Sequence, residues 1–335
     1  MISWRRPERT DALLLARCSY AVLTIFFWPF KSPRWLAELG PEHFHAALGP
    51  FSLADGYPSF GWVVVIEVLV YGLFALWVTG KGGWLTGLSL TAALTLLSGF
   101  CYAAGKIDHD FVILLVPLLL SQSKISPKRM LIVCVGVYFA SSGMAKVAGH
   151  WLDPGTQASL SWSLQYFHGH GKQEILLQWS LEHLPGWVWE VVDQGTVWFE
   201  LAVPLGMLPQ FRKWIVLSIP LFHFGTVLVF GIDFARLLLV YVPLALVCWG
   251  DAGRGRVIVF GANLRRVLVG VCWAGVVGGL LSLWLGGQLW SIPLPVQPPG
   301  LLLFPLFELV LVVGMVLYWK AGAGGEEGKE QGSGA

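Results

Sequence analysis

The chain has 335 residues, of which 56% are hydrophobic and only 13% charged, and its mean hydropathy is +0.67. A soluble chain carries about 25% charged residues, so this composition excludes an ordinary soluble domain and predicts an all-α, polytopic membrane protein. A net charge of +2 with no basic block excludes nucleic acid as a partner, and five cysteines without a Cys-x-x-Cys pair argue against structural disulfides or a metal site.

A membrane-crossing helix needs about 20 apolar residues. Ten stretches read as spans: 12–30, 60–79, 84–103, 107–121, 129–149, 188–209, 213–231, 234–250, 264–286 and 301–319. The first ends in FFWPFKSPRW, which offers no small-residue cleavage site, so it reads as a retained helix rather than a signal peptide. Between the spans, 31–59 and 150–187 are long enough for structure of their own. Within the second, EILLQWSLEHL places Ile175, Leu176 and Trp179 on one face, as in a helix lying in the membrane interface. The His168-Gly-His170 run reads as a solvated loop. Gly275 and Gly279 read as a packing motif inside the bundle. The sequence divides into a transmembrane domain over 1–250, two further spans over 251–319, and a disordered cytoplasmic tail over 320–335.

Orientation follows from the basic residues. With the N-terminus inside, fifteen Lys and Arg fall on inner segments or the inner ends of spans and five on the outer side, with Arg17 and Lys146 left within helices. The expected topology is therefore N-in and C-in.

Ionisable residues inside spans are costly and are functional hypotheses by default. Lys146 ends a stripe with Tyr138 and Ser142 at i, i+4 and i+8, one face of the fifth span. Its position leaves two readings. One is a lysine snorkelling to the interface beside Trp151. The other is a desolvated amine able to serve as a general base. His109, between Asp108 and Asp110, stands at the head of the fourth span, as a cap or as a site residue. His223, between Phe222 and Phe224, lies midway along the seventh, as a core histidine or as a third site member. Glu67, Glu200 and Glu308 are single carboxylates in spans, each needing a partner.

Taken together, YFASSGMAKVAGHWLDPG (138–155), DHDF (108–111), SIPLFHFGTVLVFGIDF (218–234) and RLLLVYVPLALVCW (236–249) resemble vitamin K-dependent γ-carboxylase and its bacterial relatives, the horizontally transferred transmembrane (HTTM) domain proteins. The resemblance covers roughly residues 10–250, and the order and spacing of the motifs carry it. The resemblance implies that Lys146 is a base acting on a quinol such as menaquinol or vitamin K hydroquinone. His109 would be its neighbour and His223 a third member, with Tyr138, Ser142, Trp151 and Asp108 lining the quinol site. In that family, reaction of the quinol with oxygen yields a strong base that drives carboxylation of glutamate. Two departures stand out: Asp108 occupies the family's Asn position, and the large luminal domain that holds the protein substrate has no counterpart here. The expectation is a multi-pass protein of a bacterial inner membrane, with the bilayer and a membrane quinone as partners and its chemistry at the outer leaflet. The alternative is a binding, transport or scaffold protein that keeps the fold without the chemistry.

Overall fold

A computed structural model describes residues 8–27, 33–39, 41–45, 51, 53–103, 111–122, 126–170, 176–230 and 235–249, with 269–270, 273–274 and 277. Every secondary-structure element among the described residues is helical. The α-helices are α1 (Glu8–Phe27), α2 (Phe60–Val78), α3 (Gly83–Ala103), α4 (Phe111–Ser121), α5 (Pro127–Ala148), α6 (Ala158–His170), α7 (Leu177–His183), α8 (Gly186–Ala202), α9 (Pro209–Phe230) and α10 (Leu238–Trp249).

Four of them, α2, α3, α5 and α9, are long and apolar enough to cross a membrane. The spans expected at 12–30, 107–121 and 234–250 fall on shorter apolar stretches, Ala12–Ile25, Phe111–Ser121 and Leu238–Cys248. The span expected at 188–209 is interrupted. Its helix α8 ends at Ala202, and a 3-10 turn, Val203–Met207, follows with Pro204 inside it. The spans expected at 264–286 and 301–319, the tail, Gly275, Gly279 and Glu308 lie outside the described residues or in isolated positions.

The outer surface is apolar where that of a soluble bundle would be polar, over a core that is itself largely apolar. On α2, Phe60, Trp62, Val65, Val68, Leu69 and Leu76 are exposed while Glu67 is buried. On α8, Trp187, Val191 and Trp198 form an exposed stripe while Asp193 and Glu200 are buried. Apolar surface outward and charge inward is the arrangement a lipid solvent favours. The chain is a helical membrane protein.

It divides into two compact units: Met1–Lys128 with Val242–Leu294, and Arg129–Tyr241 with Pro295–Ala335. In the first, α3 packs on α2 and α4, and α1 on α2 and α4. Pro117 inside α4 has no N–H to give the carbonyl four residues back, that of Ile113. Tyr20 of α1 donates its hydroxyl to that carbonyl instead, at 2.9 Å. Near the end of α4, Arg17 donates to the Leu120 carbonyl at 2.9 Å and Trp77 Nε1 to Ser121 Oγ at 2.6 Å. Arg17 thus takes over a carbonyl that the helix end leaves open. A 3-10 turn, Pro33–Glu38, packs on α2 and α3 and carries Arg34 to the buried Glu67, with Nε–Oε2 at 2.7 Å.

In the second unit, α5 and α8 run antiparallel. Gly136 faces Pro204 and Met207, Phe139 meets Phe199, and Gly143 faces Glu200 and Leu201. Gly136 and Gly143 are seven residues apart, hence on one face of α5. A Cβ on Gly143 would lie 3.0 Å from the Leu201 side chain, so glycine is what lets the two helices come this close.

Candidate functional site

Lys146 stands in the last turn of α5, and the way that helix ends decides what surrounds it. The N–H of Trp151 returns to the Lys146 carbonyl (3.1 Å) and that of His150 to the Val147 carbonyl (3.1 Å). His150 itself has φ = 63°. These paired bonds around a left-handed residue form a Schellman turn, in which the residue two past the helix end folds back over the residue three before it. Those residues are Trp151 and Lys146. The placement of Trp151 beside Lys146 therefore has a local cause, and it sets Lys146 Nζ 5.4 Å from the indole ring.

Across from this turn, α8 supplies the countercharge. Lys146 Nζ donates to Glu200 Oε1 at 2.8 Å and to Oε2 at 2.7 Å. Its third proton goes to Ser142 Oγ at 2.8 Å, and Ser142 closes the ring by donating to Glu200 Oε1 at 3.1 Å. The lysine side chain is 21% exposed and the glutamate 8%. An ammonium has three donors, and all three are engaged.

The same face of α8 continues the pattern toward its N-terminus. Gln194 donates to the Leu152 carbonyl (3.0 Å), Glu190 accepts from Gly155 N–H (3.0 Å), and the buried Asp193 accepts from the N–H (2.8 Å) and hydroxyl of Ser159 at the start of α6. The carboxylate at that helix start also meets the positive end of the α6 dipole. Four polar residues of α8 thus hold the end of α5, the turn over 149–157 and the start of α6.

The sequence reading brought some of these residues together and missed others. Lys146, Ser142 and Trp151 do meet. Tyr138 lies half-buried one turn before Ser142 on the same face. His223 belongs elsewhere. It is buried among Phe139, Phe222 and Tyr241, and its Nε2 is 2.7 Å from the Tyr241 hydroxyl. Phe139, its contact on α5, precedes Lys146 by seven residues, about 10 Å of helix rise. His109 and Asp108 lie outside the described residues. The partner of Lys146 is Glu200 of the sixth expected span, where the fourth and seventh were expected to supply it. The signal for Glu200 was present: a lone cation and lone carboxylates in apolar spans call for pairing.

One further expectation changes. His168 lies in the last turn of a helix, α6, not in a loop. On α7, Leu176 and Trp179 are exposed, Gln178 and Glu182 bond to each other, and Leu177 and Ser180 are buried. Ile175 lies outside the described residues. Among the described residues, no three His, Cys, Asp or Glu side chains group as a metal site would require.

Compared with known proteins, the chain matches no family model, no curated protein and no solved structure.

Proposed function

We propose that this is a γ-carboxylase-like membrane protein of the HTTM kind, with Lys146 and Glu200 as its proton-handling centre and a membrane quinol as its ligand. The observation that carries the reading is a hydrogen-bonded lysine–carboxylate pair held between two helices of a bundle whose surface is apolar. Membrane helices rarely retain such charges without a use. For Lys146 to act as a base, its ammonium proton first crosses the 2.7 Å to Glu200 Oε2, leaving an amine beside a carboxylic acid. The amine then accepts the proton of a quinol hydroxyl arriving laterally from the lipid. Ser142 and Trp151 fix the amine's position throughout.

Ten spans, both termini in the cytoplasm and a bacterial inner membrane complete the proposal, on the distribution of basic residues. Cysteine labelling in intact cells is expected to find 150–187 accessible from outside; labelling from the cytoplasmic side would overturn the topology.

One observation favours a second reading, a scaffold or binding module. All three ammonium donors are satisfied within the protein, which is also what a static fastening of α5 to α8 requires. Mass spectrometry of the purified protein separates the two. A co-purifying quinone, lost in Lys146→Arg, supports the first reading; no quinone in the wild type supports the second.

A further inference from the structure

We infer that Glu200 occupies the anion position of Lys146, so that the site takes an uncharged ligand and turns carboxylates away. The inference rests on the reading that Lys146 is the centre of the site, and it narrows the ligand class in a direction the family resemblance does not. A lysine alone in an apolar bundle would be an anion receptor, and a carboxylate would be its natural ligand. Here both oxygens of Glu200 already lie on Nζ, at 2.8 and 2.7 Å, and Ser142 takes the third proton. An incoming carboxylate would find no donor on Lys146. It would also face the charge of Glu200, whose 8% exposure leaves it nowhere to move without being buried alone.

The walls agree with an uncharged ligand. Trp151 covers the lysine from one side. A neutral ring bearing a hydroxyl can lie against the Trp151 indole and offer its O–H to the pair without disturbing the charge balance. A glutamate side chain presented as a carboxylate cannot.

The test uses hexanoate as the anionic probe and menadiol as the neutral one, with thermal unfolding of the full chain in nanodiscs as the readout. Wild type is expected to show no hexanoate-dependent shift. Glu200→Gln keeps the shape and removes the charge, which uncovers the ammonium. Hexanoate should then bind at least about tenfold more tightly than to wild type, the usual margin for a charge-assisted hydrogen bond. Lys146→Gln in the same background should abolish that gain. Hexanoate binding to wild type, lost in Lys146→Gln, would overturn the inference, as would a folded Glu200→Gln that gains nothing. Should Glu200→Gln fail to fold, wild type against Lys146→Gln decides alone: no shift in either supports the inference. Menadiol reports separately on the quinol reading. A protein that ignores menadiol but gains hexanoate binding in Glu200→Gln keeps the masked anion position and loses the quinol.

Discussion

Among the described residues, each unit holds a buried ion pair, and the two differ in what they can do. In the first, Arg34 reaches Glu67 with Nε and a terminal nitrogen on the same oxygen, at 2.7 and 2.6 Å. In the second, Lys146 sits on both oxygens of Glu200 and on a serine hydroxyl. The cations are equally exposed, 21% in each case; Glu67 is fully buried while Glu200 keeps 8%. The chemical difference is therefore the head group. A guanidinium stays charged at any working pH, so Arg34–Glu67 can only fasten a segment. An amine beside a carboxylate can pass a proton. The two pairs look alike as salt bridges, yet only the second joins two groups between which a proton could pass.

That contrast is easiest to break at Glu67. Glu67→Ala leaves Arg34 without the carboxylate that holds it and is expected to cost about 3–5 kcal/mol, read as a large fall in the unfolding midpoint in detergent. Replacing both Arg34 and Glu67 by methionine should recover most of that loss, because the charges are then removed together. A double variant as unstable as Glu67→Ala would mean the pair does more than fasten.

A smaller effect is expected where α5 meets α8. Gly143→Val drives a branched side chain into Leu201 and Glu200 and should cost about 1–3 kcal/mol. It should also loosen the lysine–glutamate contact, so that Lys146 reacts faster with an amine reagent than in wild type. Unchanged stability would mean that the helices do not approach as described.

The smallest prediction concerns α4. Tyr20→Phe removes the donor to the Ile113 carbonyl and should cost about 1–2 kcal/mol. In a Pro117→Ala background the restored N–H serves that carbonyl, and the same substitution should cost clearly less. Equal costs in both backgrounds would separate Tyr20 from Pro117.

Much of this architecture is written in hydropathy. The runs 60–79, 84–103, 129–149 and 213–231 are predominantly apolar, and each falls on a helix of spanning length. Where apolar and polar residues alternate, the pattern speaks less clearly. In α6, Ser159, Ser161 and Ser163 interrupt the apolar positions, and the buried Ser159 and Ser163 face inward where a soluble helix would place leucine. Its helical run was therefore hidden in a long outer segment. Pro204 ended the sixth span early, for the ordinary reason that a proline cannot continue the ladder. The site was half legible. Ser142 and Lys146 are one turn apart, and Trp151 follows by a turn whose geometry is local. Glu200 lies 54 residues away, and which of three lone carboxylates would meet Lys146 depends on packing that one sequence does not spell out. His223 was legible as a buried histidine; that Tyr241 would be its hydrogen-bond partner was not.

The central claim is that Lys146 works as a base, and Lys146→Arg tests it most directly. Arginine keeps a cation beside Glu200 and similar bulk, so expression and unfolding midpoint should stay near those of wild type, but it cannot give up its proton. Quinol-dependent oxygen consumption by the purified protein in nanodiscs should fall to background in this variant. Oxygen consumption equal to that of wild type would contradict the account and leave Lys146–Glu200 as a fastening like its counterpart in the first unit.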